Sequence, residues 1–123
     1  DTIVYVRCDR PDDPHYADLQ AMEQQLRTFR TAAGEPYRLL PLPWPDAIYD
    51  GTERLPATYA NYLVMNATVL YPTYGQPEHD DTARRVLAQA FDKYDLVGVD
   101  CRALIRQHGS LHCATMQFPV GVL

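Results

Sequence analysis

The stretch "YANYLVMNATVLYPTYG", Tyr59 to Gly75, decides how the chain is to be folded. Two runs of apolar, aromatic and β-branched residues, roughly 59 to 65 and 68 to 74, flank Met65-Asn66-Ala67, where asparagine can take the left-handed conformation of a tight turn. The segment predicts an antiparallel hairpin. Downstream, Ala83, Val86, Leu87, Ala90 and Phe91 recur at helical steps from Glu78 to about Phe91, with Asp80 and Asp81 placed to complement the helix N-terminus. "DLVGVD", 95 to 100, then reads as a short buried strand.

A similar order precedes the hairpin. "TIVYVRC", residues 2 to 8, has the composition of a strand buried on both faces, and "DRPDDP" stops it. From about His15 to Ala33, Tyr16, Leu19, Met22, Leu26 and Phe29 mark one face of a helix, with Gly34 as its expected stop. "EPYRLLPL", 35 to 42, is the next strand. The stretch "PLPWPDAIYDGTERLPAT" carries the sole Trp, a Gly and four of the ten prolines without either period, so a long ordered loop is expected there. A short helix near 101 to 106 and a final strand near 111 to 118 complete the pattern. The class is therefore α/β (α+β), with two strand-helix-strand halves about sixty residues apart.

Length and composition bound the function. The 123 residues suit one core, and 46% hydrophobic with 22% charged residues describes an ordinary globular chain. A net charge of -5 without a basic run argues against nucleic acid and slightly favours a cationic small molecule. No apolar run approaches the ~18 residues of a membrane span, so no membrane partner is expected. Three cysteines at irregular spacings argue against a disulfide framework and suggest a cytoplasmic setting. The opening residues Asp1 to Val6 read directly as a strand, which predicts a piece of a longer polypeptide.

Chemistry concentrates in "QHGSLHCATM", 107 to 116. Cys113 follows a glycine-containing turn, where backbone amides could lower a thiol pKa; it reads equally as a small packed hydrophobe. In a strand, His112 would face away from Cys113, whereas His108 could fold back across the turn. His108, His112 and Cys113 match no common zinc spacing, and no metal or other cofactor is expected. Cys8 and Cys101 read as structural thiols. Asp100 ends a strand at the edge where α/β sheets place ligands, with helix capping as the plainer account.

Four segments carry a resemblance: "RLPATYAN", 54 to 61; "VLYPT", 69 to 73; "VGVD", 97 to 100; and "GSLHCAT", 109 to 115. In order and spacing they resemble the C-terminal part of agmatine deiminases, the guanidine-modifying pentein branch often labelled peptidylarginine deiminase-like, from residue 2 to about 119. The resemblance implies a propeller of five ββαβ-type modules, of which this chain would hold about two: a piece at about 2–58 with the Pro-rich loop, and a hairpin-helix-strand module at about 59–123. It implies hydrolysis of agmatine to N-carbamoylputrescine and ammonia on a route to putrescine, with peptidylarginine or arginine as alternative substrates. A pentein-like binding module without catalysis is the other alternative.

Under this resemblance Cys113 is the nucleophile. Gly109 and Ser110, in place of the family's glycine run, are assigned to substrate binding and His112 to a supporting role. The family's G-H-x-D histidine and guanidinium-binding acids match nothing in these residues, so they are expected in the rest of the parent chain. The isolated piece is then expected to be inactive, and a homo-oligomer remains open.

Overall fold

Alternation along Thr68–Thr73 buries Val69 and Tyr71 and leaves Leu70 half-exposed, the period of a strand with one face on a core. In this computed structural model, which describes residues 1–122, that strand organises the second half of a mixed α/β fold. The elements are β1 (Thr2–Arg7), α1 (Tyr16–Thr28), β2 (Arg38–Pro43), β3 (Tyr49–Asp50), β4 (Glu53–Arg54), β5 (Leu63–Val64), β6 (Thr68–Thr73), α2 (Pro77–Ala90) and β7 (Asp95–Asp100). Two 3-10 turns follow, Leu104–Gln107 and His112–Ala114.

β1 and β2 pair in parallel, Thr2 opposite Arg38 through Arg7 opposite Pro43. β6 and β7 repeat the arrangement, Thr68 opposite Asp95 through Thr73 opposite Asp100, and β5 joins β6 antiparallel. Pro72 is tolerated in the middle strand because β5 reaches only Val69 and Leu70, so no ladder bond is lost on that side. α2 packs on strands of both sheets and so unites the halves. Its Leu87 is fully buried with Leu42 of β2 and Ile105, each such side chain stabilising the fold by about 1.5–3 kcal/mol.

Pro77 opens α2 at a position where its missing N–H costs nothing. Asp80 reaches back to accept hydrogen bonds from the Tyr74 and Gln76 N–H groups, both 3.0 Å, and from the Tyr59 hydroxyl at 2.7 Å. The expected dipole complement is thus a specific clamp on the turn that leads out of β6.

Several expectations are corrected. α1 ends at Thr28, not Ala33: Phe29 is extended, Arg30 bridges Pro36, and Gly34 (φ +83°) serves the turn between them. The Pro-rich loop contains the small β3–β4 hairpin around Gly51. The main hairpin closes through Met65 N–H to Thr68 C=O, 2.8 Å, yet Asn66 is not left-handed. β1 and β7 are not buried strands. Only Tyr5 of β1 is buried, and Val97 of β7 is 45% exposed, so each of these edge strands has a face that no layer fully covers.

The strand expected near 111 to 118 does not form in those described residues. Leu111 has helical dihedrals and starts the 3-10 turn at His112, and the chain is irregular from Thr115 to Val122. No helix of the described residues is long and apolar enough to cross a membrane.

Candidate active site

The chain leaves β7 through Cys101, which is fully buried, and turns through Leu104–Gln107. His108 then takes φ 61°, ψ 23°, and among the described residues it is the sole non-glycine with positive φ. That left-handed step reverses the backbone so that Gly109 and Ser110 fold against Cys113. A Cβ on Gly109 would lie 3.1 Å from Cβ and 3.9 Å from Sγ of Cys113, so a side chain there would crowd Cys113, and the dihedrals of Gly109 make no demand for glycine.

Cys113 is exposed, on the wall of an open depression of ≈ 470 Å³ that is also lined by Gln107, His108, Gly109, Ser110 and Ala114. Its thiol pKa lies below the ordinary cysteine value. The Ser110 backbone N–H contributes most, the Asn61 side chain next, and the Cys113 N–H adds to them. A thiolate in that position is both stabilised and open to attack a ligand. Cys101 differs in both respects, since burial pushes its thiol pKa up. Cys8 is fully buried as well.

Asn61 is the residue that sequence reasoning missed. Its Nδ2 donates to Cys113 Sγ at 3.2 Å, while Oδ1 accepts from the N–H groups of His112 at 2.6 Å and Cys113 at 3.4 Å. The signal was the last letter of "RLPATYAN", whose spacing from Cys113 gives no hint of contact.

A second tie holds the same two segments. Tyr74 Oη donates to the Thr58 carbonyl at 2.9 Å, accepts from Thr58 N–H at 3.0 Å, and lies 2.8 Å from Ser110 Oγ. With its phenol already donating to Thr58, Tyr74 accepts the Ser110 proton. Ser110 is 2% exposed with its hydroxyl turned into the core against Tyr74, and its backbone N–H is the part that serves Cys113. Burial raises the Tyr74 pKa to about 12, which keeps the phenol a neutral donor.

The remaining candidates separate in space. His112 lines a different depression with Ala60, Tyr62 and Val64, because successive residues of a 3-10 turn diverge by about a third of a circle. That divergence, and not opposite faces of a strand, separates His112 from Cys113. His108 shares the Cys113 depression, with Nδ1 3.8 Å from Glu53 Oε1 at an exposed rim. Among the described residues no three His, Cys, Asp or Glu side chains gather as a metal site. Asp100 caps the turn after β7, accepting from the Arg102 N–H at 3.1 Å and from its guanidinium.

A second polar cluster lies in the first half. Asp13, with its side chain 7% exposed, accepts from Arg54 Nη1 at 3.0 Å and Nη2 at 2.9 Å, from Trp44 Nε1 at 3.1 Å and from His15 N–H at 3.0 Å. Arg54 foremost holds its carboxyl well below the usual carboxylate range. Both carboxylate oxygens are engaged, and the His15 imidazole, 49% exposed, also sets its Nδ1 3.1 Å from Asp13 Oδ1.

The chain is similar to known deiminases along nearly all of its length. It is 32% identical to the agmatine deiminase of Pseudomonas fluorescens (strain Pf-5), over 90% of this chain and 35% of the relative. Among solved structures, one named for the putative arginine deiminase of Porphyromonas gingivalis superposes with TM-score 0.93 at 55% identity, covering 98% of this chain and 35% of that one. An agmatine deiminase of C. jejuni, a cysteine-to-serine variant with substrate bound, gives TM-score 0.81 at 36% identity over 90% of this chain and 31% of its own. The chain thus spans about a third of the length of these relatives. A family model for the Porphyromonas-type peptidyl-arginine deiminase matches residues 1–119, and the chain belongs to that family.

Proposed function

We propose that the chain is the C-terminal portion of a deiminase that hydrolyses a guanidino C–N bond, with Cys113 as nucleophile. The observation that carries this reading is the exposed Cys113 thiol, its pKa lowered by the Ser110 N–H and the Asn61 amide at the wall of an open depression. A guanidinium carbon is a weak electrophile, so it calls for a nucleophile stronger than water. The thiolate forms a C–S bond as the C–N bond breaks, and the departing nitrogen takes a proton to leave as ammonia. Water then adds to the thiouronium carbon, the C–S bond breaks, and the ureido product leaves the thiolate behind. The Gly109 and Ser110 segment borders the reacting carbon.

The described residues that line the depression include no carboxylate to hold a guanidinium cation. Those acids and the histidine that moves the proton belong, on this reading, to the rest of the parent chain, and residues 1–123 alone give no turnover. The strand-helix-strand units then form roughly the last two modules of a five-module propeller, divided near residues 58 and 59, in a cytoplasmic enzyme that acts without a cofactor.

Agmatine is the substrate of the first reading, giving N-carbamoylputrescine for putrescine synthesis. It is supported by the named agmatine deiminases at about a third identity. A second reading, arginine held in a peptide or free, is favoured by a specific observation: the structures named for arginine and peptidyl-arginine deiminases share 55% and 46% identity with this chain. Ammonia release by the full-length protein from agmatine, free arginine and an arginyl peptide decides between them. Turnover of none of the three would overturn the deiminase reading itself.

A further inference from the structure

The four residues Thr58 to Asn61 form a strap between the β3–β4 hairpin and β5, and the nucleophile loop is fastened to it twice. One fastening is the Tyr74 hydroxyl shared by Thr58 and Ser110. The other is Asn61, whose backbone C=O also lies 3.3 Å from the His112 N–H. The orientation of the Asn61 amide is fixed by its partners. Two backbone N–H donors point at one end of the amide, which must therefore be the oxygen, so the end facing Cys113 Sγ is the NH₂ group.

An amide nitrogen donates and cannot accept. Its hydrogen bond to sulfur is stronger for a thiolate than for a neutral thiol, so it favours the charged form. The oxygen does separate work, holding the first turn at His112 and Cys113 in place. One side chain thus bears on both the position and the protonation of the sulfur, beside the Ser110 N–H.

We propose that Asn61 is a positioning residue for Cys113, holding the nucleophile loop through Oδ1 and favouring the thiolate form of the sulfur through the Nδ2–H donor. The proposal rests on the reading of Cys113 as nucleophile. It distinguishes itself from a plain structural tie through the substitution Asn61→Asp. Aspartate keeps an oxygen for the His112 and Cys113 N–H groups but replaces the donor at sulfur by an anion.

The test is the pH dependence of Cys113 alkylation in the full-length protein by iodoacetamide, an uncharged probe that reads the thiolate fraction. The C113A variant supplies the background from other thiols. In N61D the apparent thiol pKa is expected to rise by about one unit or more, slowing alkylation at pH 7 by about tenfold, with the thermal melt retained. N61A is expected to shift in the same direction by less. An N61D profile that superimposes on the unsubstituted protein overturns the proposal, and N61D decides alone if N61A does not fold. Turnover of C113A scores the nucleophile separately: full activity there would sink that reading while leaving the alkylation profile to judge the hold of Asn61 on the sulfur.

Discussion

The two halves build polar clusters at the same place in their architecture, where the chain leaves the carboxyl ends of a parallel strand pair, and finish them differently. After β1 and β2, Asp13 is enclosed by Arg54, Trp44 and the His15 N–H, and both carboxylate oxygens are engaged. After β6 and β7, the donors of Ser110 and Asn61 converge on a sulfur that remains exposed. Donors that saturate a buried acceptor stabilise a fold, while donors aimed at an exposed nucleophile prepare it to react. On the proposed reading of Cys113 as nucleophile, the buried Asp13 carboxylate serves stability and the second cluster serves chemistry.

The sharpest way to break that contrast is Cys113→Ala. Turnover by the full-length protein should fall by about 10⁴-fold or more, the usual scale for loss of a covalent nucleophile. The urea midpoint should barely move, since the side chain is exposed. A C113A protein that kept its rate would place the chemistry elsewhere.

Asp13→Asn should do the reverse. It leaves Arg54, whose side chain is 20% exposed, without its charge partner, at a cost of about 2–4 kcal/mol in urea denaturation. Because the folded carboxyl pKa is depressed, Asp13 contributes its full stability above the ordinary Asp value near 4 and loses it as pH falls below that. Stability of the unsubstituted protein should therefore decline below about pH 4, and D13N should show a shallower decline. Equal slopes for the two proteins would remove Asp13 from the account.

Much of this contrast was legible in the sequence, and the part that was not is long-range. The run "DLVGVD" gave β7 its span, and the periodicity from Glu78 gave α2 to within a residue. Composition encodes what a strand is made of and says little about which layer covers it, so β7 was expected buried and is an exposed edge. The residues from Leu111 onward have local strand character, but their first turn is fixed by Asn61, 52 positions before Cys113. Cys113 could be singled out from its glycine-containing turn, and its partner could not, because an asparagine at the end of a loop has no period to betray its contact. The same holds for Ser110, whose hydroxyl turns inward to a tyrosine 36 positions away.

Tyr74→Phe probes the seam between chemistry and stability. It removes the oxygen that satisfies Thr58 N–H and C=O and the Ser110 hydroxyl, all at a residue 2% exposed. Leaving those groups unpaired should cost about 1–3 kcal/mol by urea denaturation. The loop would keep Asn61, so Cys113 alkylation at pH 7 should slow by less than in N61D. An alkylation loss larger than that of N61D would show that the phenol, not the amide, governs the sulfur.

The smallest expected effect falls at His108, where the active loop itself carries strain. A left-handed conformation costs an L-residue about 1–2 kcal/mol, and glycine avoids that cost while adding freedom worth about 0.5–1 kcal/mol to the unfolded chain. The first quantity exceeds the second, so His108→Gly should stabilise the protein by about 0.5 kcal/mol, seen as a small rise in melting temperature. The closed Asp13 cluster of the first half contains no left-handed non-glycine residue, and its side chains need no such concession. His108 lies on the wall of the Cys113 depression, and its 3.8 Å approach to Glu53 is too long and too exposed to repay the strain. A fall in melting temperature on H108G would instead mean that the imidazole supplies packing that outweighs the backbone cost.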